Sequence, residues 1–243
     1  MQETSGIPHA TGEYIAFLDS DDYVEKNMYE LLYEKAKEAD YDMVECDFIW
    51  EYSNKSKIDT GKIYTNKKEA LEKARVVAWN KLYKREIIQN SEVHFPKGLR
   101  YEDVEFFYKI LPSLNKIGFV KQPLVHYIQR ENSISNTQNE RTKEIFEILD
   151  NVISFYKEKG IYEEYKKELE YTYARYLLCS SLKRITKIQD KQTKTKLLNE
   201  TWDRLNKKFP EWKKNQLLKI NTWKNRYMRS VNKFTFKIYG KIL

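Results

Sequence analysis

Only two cysteines, Cys46 and Cys179, occur in the 243 residues, and they do not have the spacing of a metal site. A disulfide framework is excluded, and a reducing, cytosolic compartment is the simplest expectation. Glycine (7) and proline (5) are scarce too, which argues against long disordered linkers. No apolar run approaches the roughly 18 residues of a membrane span, and the N-terminus does not read as a signal peptide. A repeat of roughly 20–50 residues is also absent, so a solenoid is not expected.

What is present is the composition of a folded protein, 41% hydrophobic and 33% charged, long enough to bury a sizeable core. Its net charge of +8 is unevenly spread. Residues 181–243 hold 18 Lys/Arg against four acids, so the first 180 residues are net acidic. An acidic front and a basic, aromatic-rich tail are expected to do different work.

The front is organised around Ala10-Thr-Gly-Glu-Tyr-Ile-Ala-Phe-Leu-Asp-Ser-Asp-Asp22. A Gly-containing turn leads into a short apolar strand, Tyr14 to Leu18, which ends in Asp19, Asp21 and Asp22. Carboxylates at the C-terminal end of a strand can hold a hard divalent cation, Mg²⁺ or Mn²⁺, which prefers oxygen ligands. In α/β sheets ligands sit outside the carboxyl ends of the strands. An acidic turn that caps the next helix accounts for the same residues, and on spacing alone both readings stand.

Further along, Val24–Asp40 has the periodicity of an amphipathic helix, with Asp22 placed to cap it. Tyr41–Tyr52 alternates as a strand, and Ser53–Thr60 is polar and loop-like. Asn66–Asn80 starts as a helix and closes on Trp79. Asn80-Lys81-Leu82-Tyr83-Lys84-Arg85 supplies a short strand, then a helix over Arg85–Asn90. A Pro/Gly loop, Phe95 to Gly98, leads to Glu102 and Asp103 in the first turn of a helix, where acids complement the helix dipole. Ile117–Tyr127 reads as a strand pair broken at Pro123. It ends in His126 and the run Tyr127-Ile-Gln-Arg-Glu-Asn-Ser133. From Thr142 the chain reads as helical: one apolar face includes Ile145, Ile148, Leu149, Val152, Ile153 and Tyr156. Further helices are expected over Tyr162–Leu182, Leu197–Phe209 and Trp212 to about Leu243.

Four stretches resemble, in order, the motifs of inverting family 2 glycosyltransferases, which have the GT-A fold. Phe17-Leu-Asp-Ser-Asp resembles the Asp-X-Asp segment, and Asn80 to Arg85 resembles a run common in that family. Tyr101-Glu-Asp-Val resembles its Glu-Asp motif, and Arg130-Glu-Asn-Ser133 a loop usually written Tyr-Arg-X-Arg-X-X-Ser, with Ile128 replacing the first arginine. The resemblance implies an incomplete α/β GT-A (Rossmann-like) domain over residues 1–135, followed by a helical, basic region over 136–243. It implies Asp21 and Asp19 as metal ligands, and Asp19, Arg130 and Ser133 on the donor; His126, at a strand end, is a candidate third ligand or a structural histidine on its residue type alone. Asp103 is the implied general base with Glu102 beside it, and Trp79 and Lys81 face the acceptor. The cofactor is Mn²⁺ or Mg²⁺. The donor is a nucleotide-sugar, of UDP type, and the acceptor a glycan or lipid-linked glycan of cell-surface polysaccharide synthesis.

The resemblance begins part-way through the GT-A domain. At about 30 residues per βαβ unit, on the order of 90 residues of the nucleotide-binding half are missing, and a truncated or split enzyme is expected. In the complete fold the Asp-X-Asp strand is central in a parallel sheet; without its neighbours it has a free edge. In the tail, Trp202 to Leu243 mixes aromatics with about a dozen Lys/Arg. Packing on the front, docking on an anionic membrane and binding nucleic acid all fit that composition. No nucleic-acid recognition pattern accompanies it in the front half, so nucleic acid is not expected as a partner. The expected location is cytoplasmic, peripheral at the inner face of the membrane. The alternative to an enzyme is a non-catalytic fragment that docks on a membrane or partner.

Overall fold

A computed structural model describes residues 6–130 and 137–242, with the side chain of residue 242 excepted. The chain forms two compact units, Met1–Glu131 and Asn132–Leu243. Among the described residues no helix is long and apolar enough to cross a membrane.

The front unit is a mixed sheet with helices. Its strands are β1 (Tyr14–Ala16), β2 (Tyr23–Val24), β3 (Met43–Tyr52), β4 (Lys55–Asp59), β5 (Lys81–Lys84) and β6 (Ile117–Ile128). Their order is β1-β5-β3-β6-β2, with β4 paired to β3. Among the described residues only β3 and β6 are parallel; the other pairs are antiparallel. The Asp-X-Asp strand has, among the described residues, the free edge expected of it. It is an edge strand whose one partner among the described residues is β5, in the register Ile15↔Tyr83.

The helices of this unit are α1 (Met28–Glu38), α2 (Lys67–Lys73), α3 (Arg85–Ser91) and α4 (Glu102–Ile110). α1 starts at Met28 rather than Val24, because Val24 is committed to pairing with Val125. Its buried stripe Met28, Leu32 and Ala36 follows the i, i+4 spacing and packs on Val44, Cys46, Phe48, Leu124 and Val125. Fully burying Met28 or Leu32 stabilises by about 1.5–3 kcal/mol each.

The alternation of β3 sends Val44, Cys46 and Phe48 toward that core and Glu45 and Asp47 to the opposite face. The polar stretch read as a loop contains β4. Lys55–Asp59 folds back on β3 through a two-residue turn, Phe48 facing Asp59 and Tyr52 facing Lys55. A polar strand forms there because its residues are exposed or half-buried, so its pattern carries no apolar alternation. Ile117–Ile128 is one strand, not two. The irregularity at Pro123 is absorbed as a register shift opposite Asp47, where the missing proline N–H is tolerated.

The second unit is helical: α5 (Glu144–Glu158), α6 (Tyr162–Arg175), α7 (Leu182–Ile185), α8 (Lys191–Lys208), α9 (Trp223–Ser230) and α10 (Lys233–Ile242). A single π-helical stretch, Tyr176–Ser181, joins α6 to α7. α5 buries the face expected of it, Ile145 through Tyr156. α8 begins six residues before Leu197, because Asp190 caps it by accepting from Thr193 N. The last stretch is not one helix. Two 3₁₀ turns, Trp212–Lys214 and Gln216–Lys219, precede α9, and Val231 and Asn232 separate α9 from α10. The buried Asn225 holds that arrangement, donating to the carbonyls of Leu217 and Ile220 and accepting from Tyr171 Oη at 2.9 Å.

Candidate active site

β1 runs out at Ala16, and Phe17 turns inward while the chain continues to Asp19. Phe17 is 7% exposed and packs edge-on against Phe95 (5.1 Å), Phe106 (5.8 Å) and Tyr83 (6.2 Å). Because Phe106 is on α4, this aromatic knot ties the end of β1 to the helix that opens with Glu102 and Asp103. Tyr101, immediately before that helix, has φ 68°, a left-handed conformation rare for a bulky residue. It sets the abrupt turn by which α4 begins.

Asp19 to Asp22 form a turn closed by Asp22 N donating to Asp19 O (3.1 Å). One carboxylate oxygen from each of Asp19, Asp21 and Asp22 lies within 4.8 Å of the others. Asp22 does not cap α1, whose N-cap is Asn27. Its Oδ1 instead accepts from Ile128 N, 106 residues away, at 2.9 Å, while Oδ2 is buried with no hydrogen-bond partner. Burial, with Asp19 and Asp21 adding to it, pushes the Asp22 carboxyl up to about 6, against the Ile128 N–H and Arg130. Burial also raises the Asp19 pKa, followed by the charges of Asp21 and Glu102. Three crowded carboxylates and a buried, unsatisfied oxygen are a donor set that fits a hard divalent cation.

Of the residues expected from the sequence, Asp19 and Asp21 lie together, with Asp22 beside them. Glu102 acts electrostatically on Asp19, Arg130 acts on Asp22, and Asp103 acts on the buried Lys81 and Tyr83. Ser133 lies outside the described residues.

Three residues are placed otherwise. His126 is not in the acid cluster. Its Nδ1 is 2.7 Å from Glu51 and its Nε2 2.9 Å from Glu25, and its ring stacks on Tyr23 at 4.2 Å. Burial disfavours its charge, but the two carboxylates outweigh that and raise its pKa, and both ring nitrogens are occupied by carboxylate partners. It ties β2 to β6 rather than ligating a cation. Trp79 is 4% exposed, stacked on Tyr127 at 5.0 Å and edge-on to Phe48 at 4.7 Å, which makes it core and not an acceptor platform. Lys81 is wholly buried. Its ammonium donates to Arg75 O (2.6 Å), Val77 O (2.7 Å) and Asn80 Oδ1 (2.8 Å) and pairs with Glu45 at 3.3 Å. No donor is left for an acceptor. The third carboxylate, Asp22, for which a place in the acid turn and a capping role both stood on spacing alone, lies in the cluster.

Comparisons with known proteins bear on the family and the fold. Residues 4–93 match the family model described as glycosyl transferase family 2. The chain belongs to that family. EpsH of Bacillus subtilis (strain 168), which carries a glycosyltransferase name, is 31% identical over 179 residues, covering 68% of this chain and 52% of its own. The glycosyltransferase GlyG of Streptococcus pneumoniae serotype 4 is 31% identical over 172 residues, 61% of this chain and 55% of its own. The family 2 chain described here therefore spans about half the length of the curated relatives it matches. Among solved structures, S. aureus TarS 1-349 in complex with UDP-GlcNAc superposes with a TM-score of 0.69 over 98% of this chain and 69% of its own. At 14% identity that likeness is one of fold, and the fold is GT-A-like.

Proposed function

We propose that this family 2 chain contributes to transfer of a sugar from a nucleotide-sugar, of UDP type, to a hydroxyl of a glycan or lipid-linked glycan, with inversion. The observation that carries the reading is the acid cluster with its orphaned Asp22 Oδ2, set beside the first turn of α4. Asp19, Asp21 and Asp22 would hold Mn²⁺ or Mg²⁺. When bound, the cation neutralises charge on the departing diphosphate. Arg130, beside Asp22, adds a guanidinium to the same region. Asp103 accepts the proton of the acceptor hydroxyl as its oxygen bonds the anomeric carbon, and the electron pair of the broken bond leaves with the diphosphate. Glu102 keeps the surroundings of that base negative. Attack from the side opposite the leaving group inverts the centre. The proposal includes a peripheral location at a membrane, where lipid-linked acceptors are held.

The test is calorimetric titration of Mn²⁺ into the chain, followed by UDP release from UDP-sugars. Asp21→Asn and Asp22→Asn are expected to abolish Mn²⁺ binding, and Asp103→Asn to lower UDP release by about 10²–10⁴-fold while leaving Mn²⁺ binding unchanged. Mn²⁺ binding without any UDP release would favour the alternative, a non-catalytic docking module.

A further inference from the structure

The whole net charge of the protein resides in its last 33 residues. From Glu211 onward there are nine Lys/Arg and one acid, so the preceding 210 residues are balanced. Glu211 pairs with Lys214, and Lys233 pairs with Asp203. Among the described residues, Lys219, Lys224, Arg226, Arg229, Lys237 and Lys241 have no carboxylate partner.

Interspersed with these cations along the sequence are the two most exposed large hydrophobic side chains among the described residues, Trp223 and Phe234, each 72% exposed. Both stand on helices whose apolar obligations are already met elsewhere. α9 buries Met228, and α10 buries Phe236 against Trp202. Tyr227 of α9 meets Tyr239 of α10 edge-on at 5.7 Å, so the two helices are neighbours. On α10, Phe234, Lys237 and Lys241 share one face by the i, i+3, i+7 spacing. On α9 the Lys224 ammonium lies 5.7 Å over the Trp223 ring. An exposed Ile220, 46% exposed, extends the apolar surface just before α9.

We propose that α9 and α10 form a docking surface for a membrane bearing anionic lipids, with Trp223 and Phe234 inserted at headgroup depth and the flanking cations on lipid phosphates. A protruding Trp or Phe flanked by Lys/Arg is the arrangement that an interfacial helix uses, combining apolar burial with attraction to anionic lipid. This surface lies in the unit that carries none of the acid cluster, so its test is independent of the transferase reading.

The full chain is sedimented with vesicles of phosphatidylcholine alone, and of phosphatidylcholine mixed with phosphatidylglycerol. Binding is expected only to the mixed vesicles and is expected to weaken with added salt. Trp223→Ser with Phe234→Ser is expected to lower the partition constant by about tenfold or more, and Lys224→Gln with Arg226→Gln by several-fold. Trp223→Phe should bind nearly as the parent does, but lose much of the fluorescence quenching by a brominated lipid. No sedimentation with anionic vesicles, or binding unchanged by Trp223→Ser with Phe234→Ser, overturns the proposal. Tighter binding to an RNA or DNA oligonucleotide than to the mixed vesicles, with the same dependence on Trp223 and Phe234, overturns it in favour of nucleic acid.

Discussion

Among the described residues the front unit buries five charged side chains, Asp42, Glu45, Asp47, Lys81 and Glu105, whereas the back unit buries one, Glu168. In the front these charges are met by ion pairs and hydrogen bonds. Glu45 accepts from Tyr64 Oη (3.0 Å) and Arg75 (3.3 Å) and pairs with Lys81, while Asp42 accepts the backbone N–H groups of Asn115 and Lys116. The back unit keeps its lysines in water and fills its interior with Leu, Ile, Tyr and Trp. Its buried polar groups are mostly neutral amides and hydroxyls such as Asn215, Asn225 and Thr201. The difference teaches that a lysine count says little by itself. Lys81 and Lys224 are the same residue type, one an internal strut and the other a surface charge.

The sharpest way to break that contrast is at Lys81. Lys81→Met leaves Glu45 buried without its ammonium partner, and urea denaturation should show a loss of about 3–5 kcal/mol. A loss under about 1 kcal/mol would mean that Glu45 is satisfied without it.

In the back unit the equivalent vulnerability is steric. A Cβ at Gly240 of α10 would collide with the side chain of Leu198, which is 1% exposed on α8 and has little room to move. Gly240→Val should cost about 1–3 kcal/mol by thermal unfolding, whereas Gly98→Ala strains only a positive-φ loop with open space around it.

A smaller, pH-dependent effect is expected at Asp22. Its folded pKa of about 6 exceeds the ordinary 3.8, so the folded state holds the proton more tightly than the unfolded chain. The stability from this group is present below about pH 4 and lost as pH rises through 6. In metal-free buffer, Asp22→Asn should therefore gain stability relative to the parent between pH 4 and 7. The gain at pH 7 is about 1 kcal/mol once solvent screening of this half-exposed carboxyl is allowed for. Denaturation curves at four pH values would check the sign. The smallest effect belongs to Lys224→Gln, expected within about 0.5 kcal/mol of the parent in the same assay.

Much of the site was legible as local pattern. Asp19 and Asp21 follow an apolar strand, and Glu102 and Asp103 open a helix, and both placements hold in the structure. The errors came where a side chain's role is set by residues far away in sequence. His126 looked like a ligand because the two carboxylates that occupy its nitrogens are 75 and 101 residues distant. Trp79 and Lys81 were expected to face the acceptor, yet Glu45 and Tyr127 pack against them in the interior. β4 was missed because an exposed hairpin strand needs no apolar alternation.

By itself, the sequence determined the family resemblance, the acid-bearing turn, the amphipathic faces of α1 and α5 and the basic character of the end of the chain. Each of these rests on neighbours within one or two helical turns or a strand's length. Only the tertiary structure decided that the Asp-X-Asp strand pairs antiparallel with β5. It also decided that Asp22 completes the acid cluster, by fastening to Ile128 N and leaving Oδ2 buried and unsatisfied. That outcome depends on desolvation and on a hydrogen bond spanning 106 residues, which only the folded chain can form.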